Sequence, residues 1–315
     1  MLWLSLLRQT ELDIAMNSSA TIRTRIVDRP GRWMTDAELE RLVEDVRAIA
    51  REALPGGELD YGVLAGDRKK LSESVLTILY DRRSTKPIAF NALAWLPVSL
   101  RGRPLDVLHL GLVMIDPNQR SKGLSWILYG LTCFALFLRQ GMRPLWISSV
   151  TQVPSVYGIV TESFDDVYPG RDGKTPTFDH VLLARQIMRH HRKAFGVGPE
   201  AEFDEPRFVI TNAYTGGSDD LKKTFEDAPK HRDEAFNIRM QRELDYARGD
   251  DFLQIGQVNM NAAKAYIWDI VPKASLPGLL VGGGLLSLQG LVLPMLHWFN
   301  TRKPWGSLRP AGRSE

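Results

Sequence analysis

The stretch IDPNQRSKGLS (115–125) joins two long apolar segments, and the fold turns on how it is read. Before it runs LDVLHLGLVMI (105–115), which reads as a buried strand that Asp116-Pro117-Asn118 breaks. After it, from about Ser121 to Gln140, comes a helix whose body LSWILYGLTCFALFL is apolar on nearly every face, so it is buried on more than one side. Gly141 stops it. The joint places small residues at 121, 123 and 125 and basic ones at 120 and 122. The first N–H groups of a helix lack internal partners and, with the helix dipole, favour a bound anion. Gly123, Ser121 and Ser125 let a diphosphate approach the backbone, and Arg120 and Lys122 add positive charge at the rim.

Working outward, residues 22–28 (IRTRIVD) alternate as a first strand. Thr35 with Glu38 reads as a capping box for the helix TDAELERLVEDVRAIAREAL, which Pro55-Gly56-Gly57 ends. VLTILYD (75–81) and IAFNALAWLPV (88–98) form an antiparallel hairpin. PLWISSV (144–150) is another buried strand, followed by a short helix at about 153–163. Residues 165–206 look inserted, with a helix at about 178–195. RFVITNAY (207–214) returns to strand, 218–248 reads as a charged, mostly helical, solvated arm, and DFLQIGQVN (251–259) as a last strand.

The strand 105–115 and the stretch that follows it to Ser125 resemble the GCN5-related N-acetyltransferase (GNAT) superfamily. Its signature of Arg or Gln, two residues, Gly, one residue, then Gly or Ala is met by Arg120, Ser121, Lys122, Gly123 and Leu124, with Ser125 in the last place. Serine there is small but departs from the pattern. The element order also resembles the family over about 22–164. The resemblance implies an α/β (α+β) fold: a GNAT-type mixed, mainly antiparallel sheet with helices on both faces, here with a helical insert and an apolar tail. It implies domain limits of 1–20 for an extension, 21–215 for the core with its insert at 165–206, 216–272 for the arm and last strand, and 273–315 for the tail. It further implies that strand 105–115 splays from strand 144–150 to admit a pantetheine arm. Main-chain contacts would come near Leu112, Val113 and Met114, and the phosphates would rest on residues 120 to 125, Leu124 included. The co-substrate it implies is acetyl-CoA or a longer acyl-CoA, with no metal.

His109 is the ionisable group inside 107–115 and stands eleven residues before Arg120. The resemblance places a general base at that position. An imidazole with pKa near 6.5 can take a proton from an amine or hydroxyl near neutral pH. A core histidine bonded to a backbone carbonyl is the alternative. Tyr157 falls where the family commonly keeps a tyrosine able to protonate the departing thiolate, although the residues before it do not follow the family's pattern, and a packing role is the alternative. His190 and His191 are adjacent on a helix and face apart, and His180 has no nearby Cys, so a metal site is not expected.

The chain has 315 residues, 44% hydrophobic and 24% charged, enough for a sizeable core. A net charge of +3 from 40 basic and 37 acidic residues, with no basic run interleaved with aromatics, argues against nucleic acid as a partner. The one cysteine, Cys133, fits a reducing, cytoplasmic compartment. The opening MLWLSLLRQTELDIAMNSSA resembles a secretory signal only faintly, and Met16 is an equally good start. Residues 274–301 carry no Asp, Glu, Lys or Arg and are long enough to cross a bilayer, for which roughly 20 residues suffice. Three readings compete there: a membrane-associated segment, a surface that docks a partner or a second copy as in a homodimer, and a tail packed on the core. Two functions follow. One is acyl transfer to a small-molecule or lipid acceptor by direct attack on a thioester. The other is a non-catalytic acyl-CoA-binding or membrane-docking module.

Overall fold

The computed structural model describes residues 11–15, 22–54, 62–119, 124, 126–216, 218–281, 284 and 288. The strands are β1 (Glu11–Ala15), β2 (Ile22–Asp28), β3 (Ser74–Asp81), β4 (Pro87–Leu100), β5 (Arg103–Leu110), β6 (Val113–Ile115), β7 (Leu145–Thr151), β8 (Asp165–Tyr168), β9 (Glu202–Asp204), β10 (Val209–Thr211) and β11 (Asp251–Val258). The helices are α1 (Asp36–Ala53), α2 (Arg68–Leu71), α3 (Thr132–Arg139), α4 (Pro154–Ser163), α5 (Phe178–His190), α6 (Glu234–Glu243) and α7 (Met260–Ala265). One sheet takes the order β1-β2-β3-β4-β5-β7-β11-β10-β9, with β6 added to β4 and β8 to β11. Every described pairing is antiparallel except β5 with β7.

Local sequence explains the elements that flank the centre. Thr35 and Glu38 form the capping box of α1, whose Leu39, Leu42, Val43, Val46 and Ile49 make one buried stripe. That stripe packs on Leu76, Ile78, Phe90 and Met114 of the sheet. On the same face, further along, α5 covers Leu96, Val107, Trp146 and Ile255. The opposite face carries α3, whose Leu131, Ala135 and Leu136 pack with Ala89, Leu108, Leu110 and Ile147. Helix α3 is entered through a π-helical turn, Trp126–Leu131. Gly130 in that turn lies against Tyr266, where an added Cβ would come within 2.1 Å of the ring. The helix ends at Gly141, whose φ of +70° suits a residue without a Cβ.

Four expectations change. The apolar run 105–115 is not one strand but two, broken at Gly111 and Leu112. In 207–214 only Val209–Thr211 is strand. The charged segment 218–248 is not a solvated arm: its one α-helix, α6, buries Phe236 and Met240 against Tyr157 and Phe252. Its charges occupy the outer side, so composition hid an inward stripe. The insert 165–206 is likewise tied in, with β8 on β11, β9 on β10 and α5 over the sheet. β11 is the last strand in sequence but central in space, between β7 and β10.

Among the described residues no helix is long and apolar enough to cross a membrane. Most of 274–301 lies outside the described residues, so a membrane-associated reading of it gains no support.

Candidate functional site

The centre of the molecule is the one parallel pair. β5 and β7 are in register at Leu108↔Ile147, His109↔Ser148 and Leu110↔Ser149, and there the pairing stops. Beyond it the chain steps through Gly111 and Leu112 into β6, which pairs with β4 alone at Val113↔Asn91, Met114↔Phe90 and Ile115↔Ala89. β7 continues to Thr151 on the side of β11. The two strands therefore part after Ser149.

The direction of the freed backbone follows from the ladder. The Leu112 carbonyl accepts from Ala92 N–H at 2.8 Å and the Asp116 N–H donates to the Ile88 carbonyl at 2.9 Å. In an antiparallel pair, bonded and non-bonded residues alternate. Met114 accordingly also bonds to β4, while the N–H and C=O groups of Val113 and Ile115 face the opening. Gly111 is what allows the step: a Cβ there would lie 2.3 Å from the Ala92 carbonyl oxygen, closer than any real contact.

A parallel pair that parts at its end, followed by a buried helix, inside an otherwise antiparallel sheet with helices on both faces, decides the architecture. The fold is of the GNAT type. No family model matches the chain, and no curated protein does. Solved structures overlap parts of it. An acetyltransferase of Trypanosoma brucei is 16% identical over 36% of this chain and 72% of its own, with a TM-score of 0.24. AtaT complexed with acetyl-methionyl-tRNAfMet is 13% identical over 40% of this chain and 76% of its own, with a TM-score of 0.25. Nourseothricin acetyltransferase is 22% identical over 25% of this chain and 41% of its own, with a TM-score of 0.18. Overlaps so partial decide nothing alone, and the strand order carries the GNAT-type assignment.

Of the motif, Arg120, Ser121, Lys122, Gly123 and Ser125 lie outside the described residues. Leu124 is buried in the core under α3, and its carbonyl accepts from the N–H groups of Ile127 and Leu128, both at 3.1 Å. The helical bonding thus begins where the signature ends.

His109 is 3% exposed and stands at the penultimate paired position of β5. Its Nδ1 shares a hydrogen bond of 3.0 Å with Ser148 Oγ, and its ring stacks on Phe195 with centroids 4.7 Å apart. Its Nε2 has no hydrogen bond among the described residues. Burial, with a smaller push from His191, lowers the imidazole pKa to about 3, so the ring is neutral at physiological pH. His109 lines a hollow of about 120 Å³. The hollow exists because Ala92, Ala94 and Gly111 are small and because it falls between the packing of α1 and that of α5.

The opposite face holds a larger cavity of about 690 Å³ between α3 and α4. It starts beside Trp126 and Ser155, in the first turns of the two helices that follow the parted strands, and extends to Phe164 and Tyr266. Cys133 lines it, buried, with its thiol pushed up to about 12 by desolvation and so unreactive at neutral pH.

The structure does not bring Tyr157 to His109. Tyr157 is fully buried among Phe252, Phe236, Val209 and Met240, and it lines neither cavity. Its hydroxyl donates to the Gly170 carbonyl at 2.8 Å, and burial raises its pKa well above the usual phenol value. His180 caps α5 through Thr177 and shares a 2.7 Å bond with the Asp166 carbonyl. Among the described residues no three His, Cys, Asp or Glu side chains stand close enough to hold a metal.

Sequence reasoning missed Ser148, Phe195, His191 and Gly111. Ser148 had a usable signal, a serine inside a buried strand that the parallel register sets opposite His109. Phe195 and His191 had none, since they reach the site from beyond α5.

Proposed function

We propose that this chain transfers an acyl group from a coenzyme A thioester to an amine, by direct attack and without a covalent enzyme intermediate. One observation carries the reading. Where β6 leaves β7, the main-chain groups of Val113 and Ile115 that point away from β4 have no strand partner among the described residues and face an opening just past a buried, neutral histidine.

Half-buried strand groups with no ladder partner call for other partners. The amides of a pantetheine arm would supply them, adding a strand in the manner of a peptide on a sheet edge. The cavity of about 690 Å³ at the helix starts gives room for the rest of the donor. The signature sequence at 120–125, with Arg120 and Lys122, would supply N–H groups and cations for its diphosphate. When bound, the donor supplies an activated carbonyl with a thiolate leaving group.

The acceptor's place is the hollow on the other face, where His109 forms part of the wall. With Nδ1–H donating to Ser148 Oγ, Nε2 presents a lone pair. The acceptor nitrogen attacks the carbonyl carbon, the C–S bond breaks, and the electron pair leaves with sulfur. As the N–C bond forms the nitrogen becomes acidic, and His109 takes its proton, which passes on to the thiolate. Two groups held in place gain most of their rate from orientation. A side chain that moves the proton adds a factor of roughly 10² to 10⁴. Tyr157, whose hydroxyl is already bonded within the core, has no part in this scheme.

The test is a thiol-release assay with acetyl-, octanoyl- and palmitoyl-CoA against a panel of amines, alongside calorimetric titration of coenzyme A. Coenzyme binding with acceptor-dependent thiol release is the expected result. Binding with no release across the panel would leave a non-catalytic module, and no binding would remove the reading.

A further inference from the structure

The hollow at His109 has a small apolar floor and a charged mouth. Ala92, Ala94 and the β4 backbone form the floor. Lys70 of α2 and Glu73 just after it line one side of the hollow, and His191 and Lys193, just past α5, line the other. Lys70, Glu73 and Lys193 make no ion pair or side-chain hydrogen bond among the described residues. Two lysines and one glutamate thus line a small concave site. Low-dielectric walls concentrate the field of such charges. The hollow is small, about 120 Å³ against about 690 Å³ for the cavity on the opposite face. Its size suits a compact ligand.

Resting on the acyl-transfer reading of this same site, we propose that the acceptor is a small primary amine that also carries an anionic group, a carboxylate or a phosphate. The anion sits between Lys70 and Lys193 at the mouth, and the amine points inward to His109. The lysine stems are long enough to follow a small ligand in. Charge-assisted bonds to the anion fix which end of the molecule enters first. Glu73 then serves as counter-charge that keeps the mouth from capturing any anion that lacks an amine. The balance is that of the transfer itself: the N–C bond forms, the thioester C–S bond breaks, and the amine proton ends on sulfur by way of His109.

The experiment is calorimetric titration of the full chain, in the presence of free coenzyme A at mildly alkaline pH, so that no turnover is needed. The probes are alanine against alaninamide and phosphoethanolamine against ethanolamine. The anionic member of at least one pair is expected to bind more tightly by on the order of tenfold, and the pair that shows it tells carboxylate from phosphate. The double variant Lys70→Gln/Lys193→Gln should bring that ratio near one, while Lys69→Gln, next in sequence but outside the hollow, should leave it. Thermal melts of each variant report on folding. Equal or weaker binding of both anionic members, a ratio that survives in the double variant, or no binding of any probe at millimolar concentration overturns the proposal. Failure of the parent reading looks different: amine preference intact, with no acetyl-CoA binding and no thiol release.

Discussion

His109 and Tyr157 make a controlled comparison inside one molecule. Both are buried, 3% and 0% exposed, and each has a single side-chain hydrogen bond, to Ser148 Oγ and to the Gly170 carbonyl. Burial pushes both away from ionisation, the imidazole down and the phenol up. They differ in what surrounds them. Around His109 the sheet presents Ala92, Ala94 and Gly111 and leaves a hollow. Around Tyr157 it presents Phe252, Val209 and the α6 residues Phe236 and Met240, and the space is filled. A polar ring becomes available for chemistry when its neighbours are too small to close over it, and the same ring among aromatics is part of the core.

The largest contrast comes from removing each ring. His109→Gln keeps a partner for Ser148 and should lower kcat/KM by roughly 10² to 10⁴ with little change in melting temperature. Tyr157→Ala should do the reverse, costing about 3–5 kcal/mol of stability while the folded fraction keeps its thiol-release rate. Denaturant melts and initial rates on the same preparations separate the two. A stable, inactive Tyr157→Ala protein would reverse the comparison.

Next is the hinge between the regions. In Gly111→Ala the new methyl would meet the Ala92 carbonyl at 2.3 Å, backbone against backbone, so the step from β5 into β6 must shift. A stability loss of about 1–3 kcal/mol is expected, as for other overpacked sites. Coenzyme affinity should fall as well, because the Val113 and Ile115 edge moves with the step. Unchanged coenzyme binding in a destabilised Gly111→Ala protein would detach the parting from the donor site.

These contrasts mark where reading the sequence stopped. The Thr35/Glu38 box, the hairpin of β3 and β4 and the buried character of α3 are local patterns, set by residues a few positions apart, and they were legible. His109 could be singled out as an ionisable group in an apolar run. Its surroundings could not, because Ser148 lies 39 positions away and Phe195 arrives from another element. The enclosure of Tyr157 was hidden for the same reason: α6 and β11, which surround it, come far later in the chain, and the charged outer side of α6 concealed its inner stripe. The break at Gly111 was hidden by the unbroken hydrophobicity on either side of it.

The pH response sharpens the His109 side. Its folded pKa is depressed to about 3, against an ordinary value of 6.5, so between those values the unfolded chain holds a proton that the native state does not. Stability from this residue is therefore complete above pH 6.5 and lost as pH falls toward 3, by about 1.4 kcal/mol per pH unit. Wild type should lose stability faster than His109→Gln across that window, by about that slope. Because His109 stays neutral there, an acid limb in kcat/KM should follow the acceptor amine and shift when the acceptor is changed. A limb fixed at 6.5 for every acceptor would mean that His109 titrates freely and is less enclosed than the fold indicates.

The smallest effect is expected from Tyr157→Phe. The ring, and with it the packing on Phe252 and Phe236, remains. The Gly170 carbonyl that loses the phenol keeps a second donor, Arg239 Nη1 at 2.6 Å, so no buried acceptor is stranded. A single lost bond with its acceptor still satisfied costs about 0.5–1.5 kcal/mol, and the rate of thiol release should stay within about twofold of wild type, because a hydroxyl bonded to a carbonyl inside the core has no proton to deliver to a leaving sulfur. This modest substitution is also the most discriminating one for the chemistry. Tyr157→Ala disturbs packing and proton together, whereas Phe removes the proton alone. A rate loss of more than about tenfold in Tyr157→Phe with an unchanged melt would return Tyr157 to the role of acid, and would require the Gly170 segment to move aside during turnover.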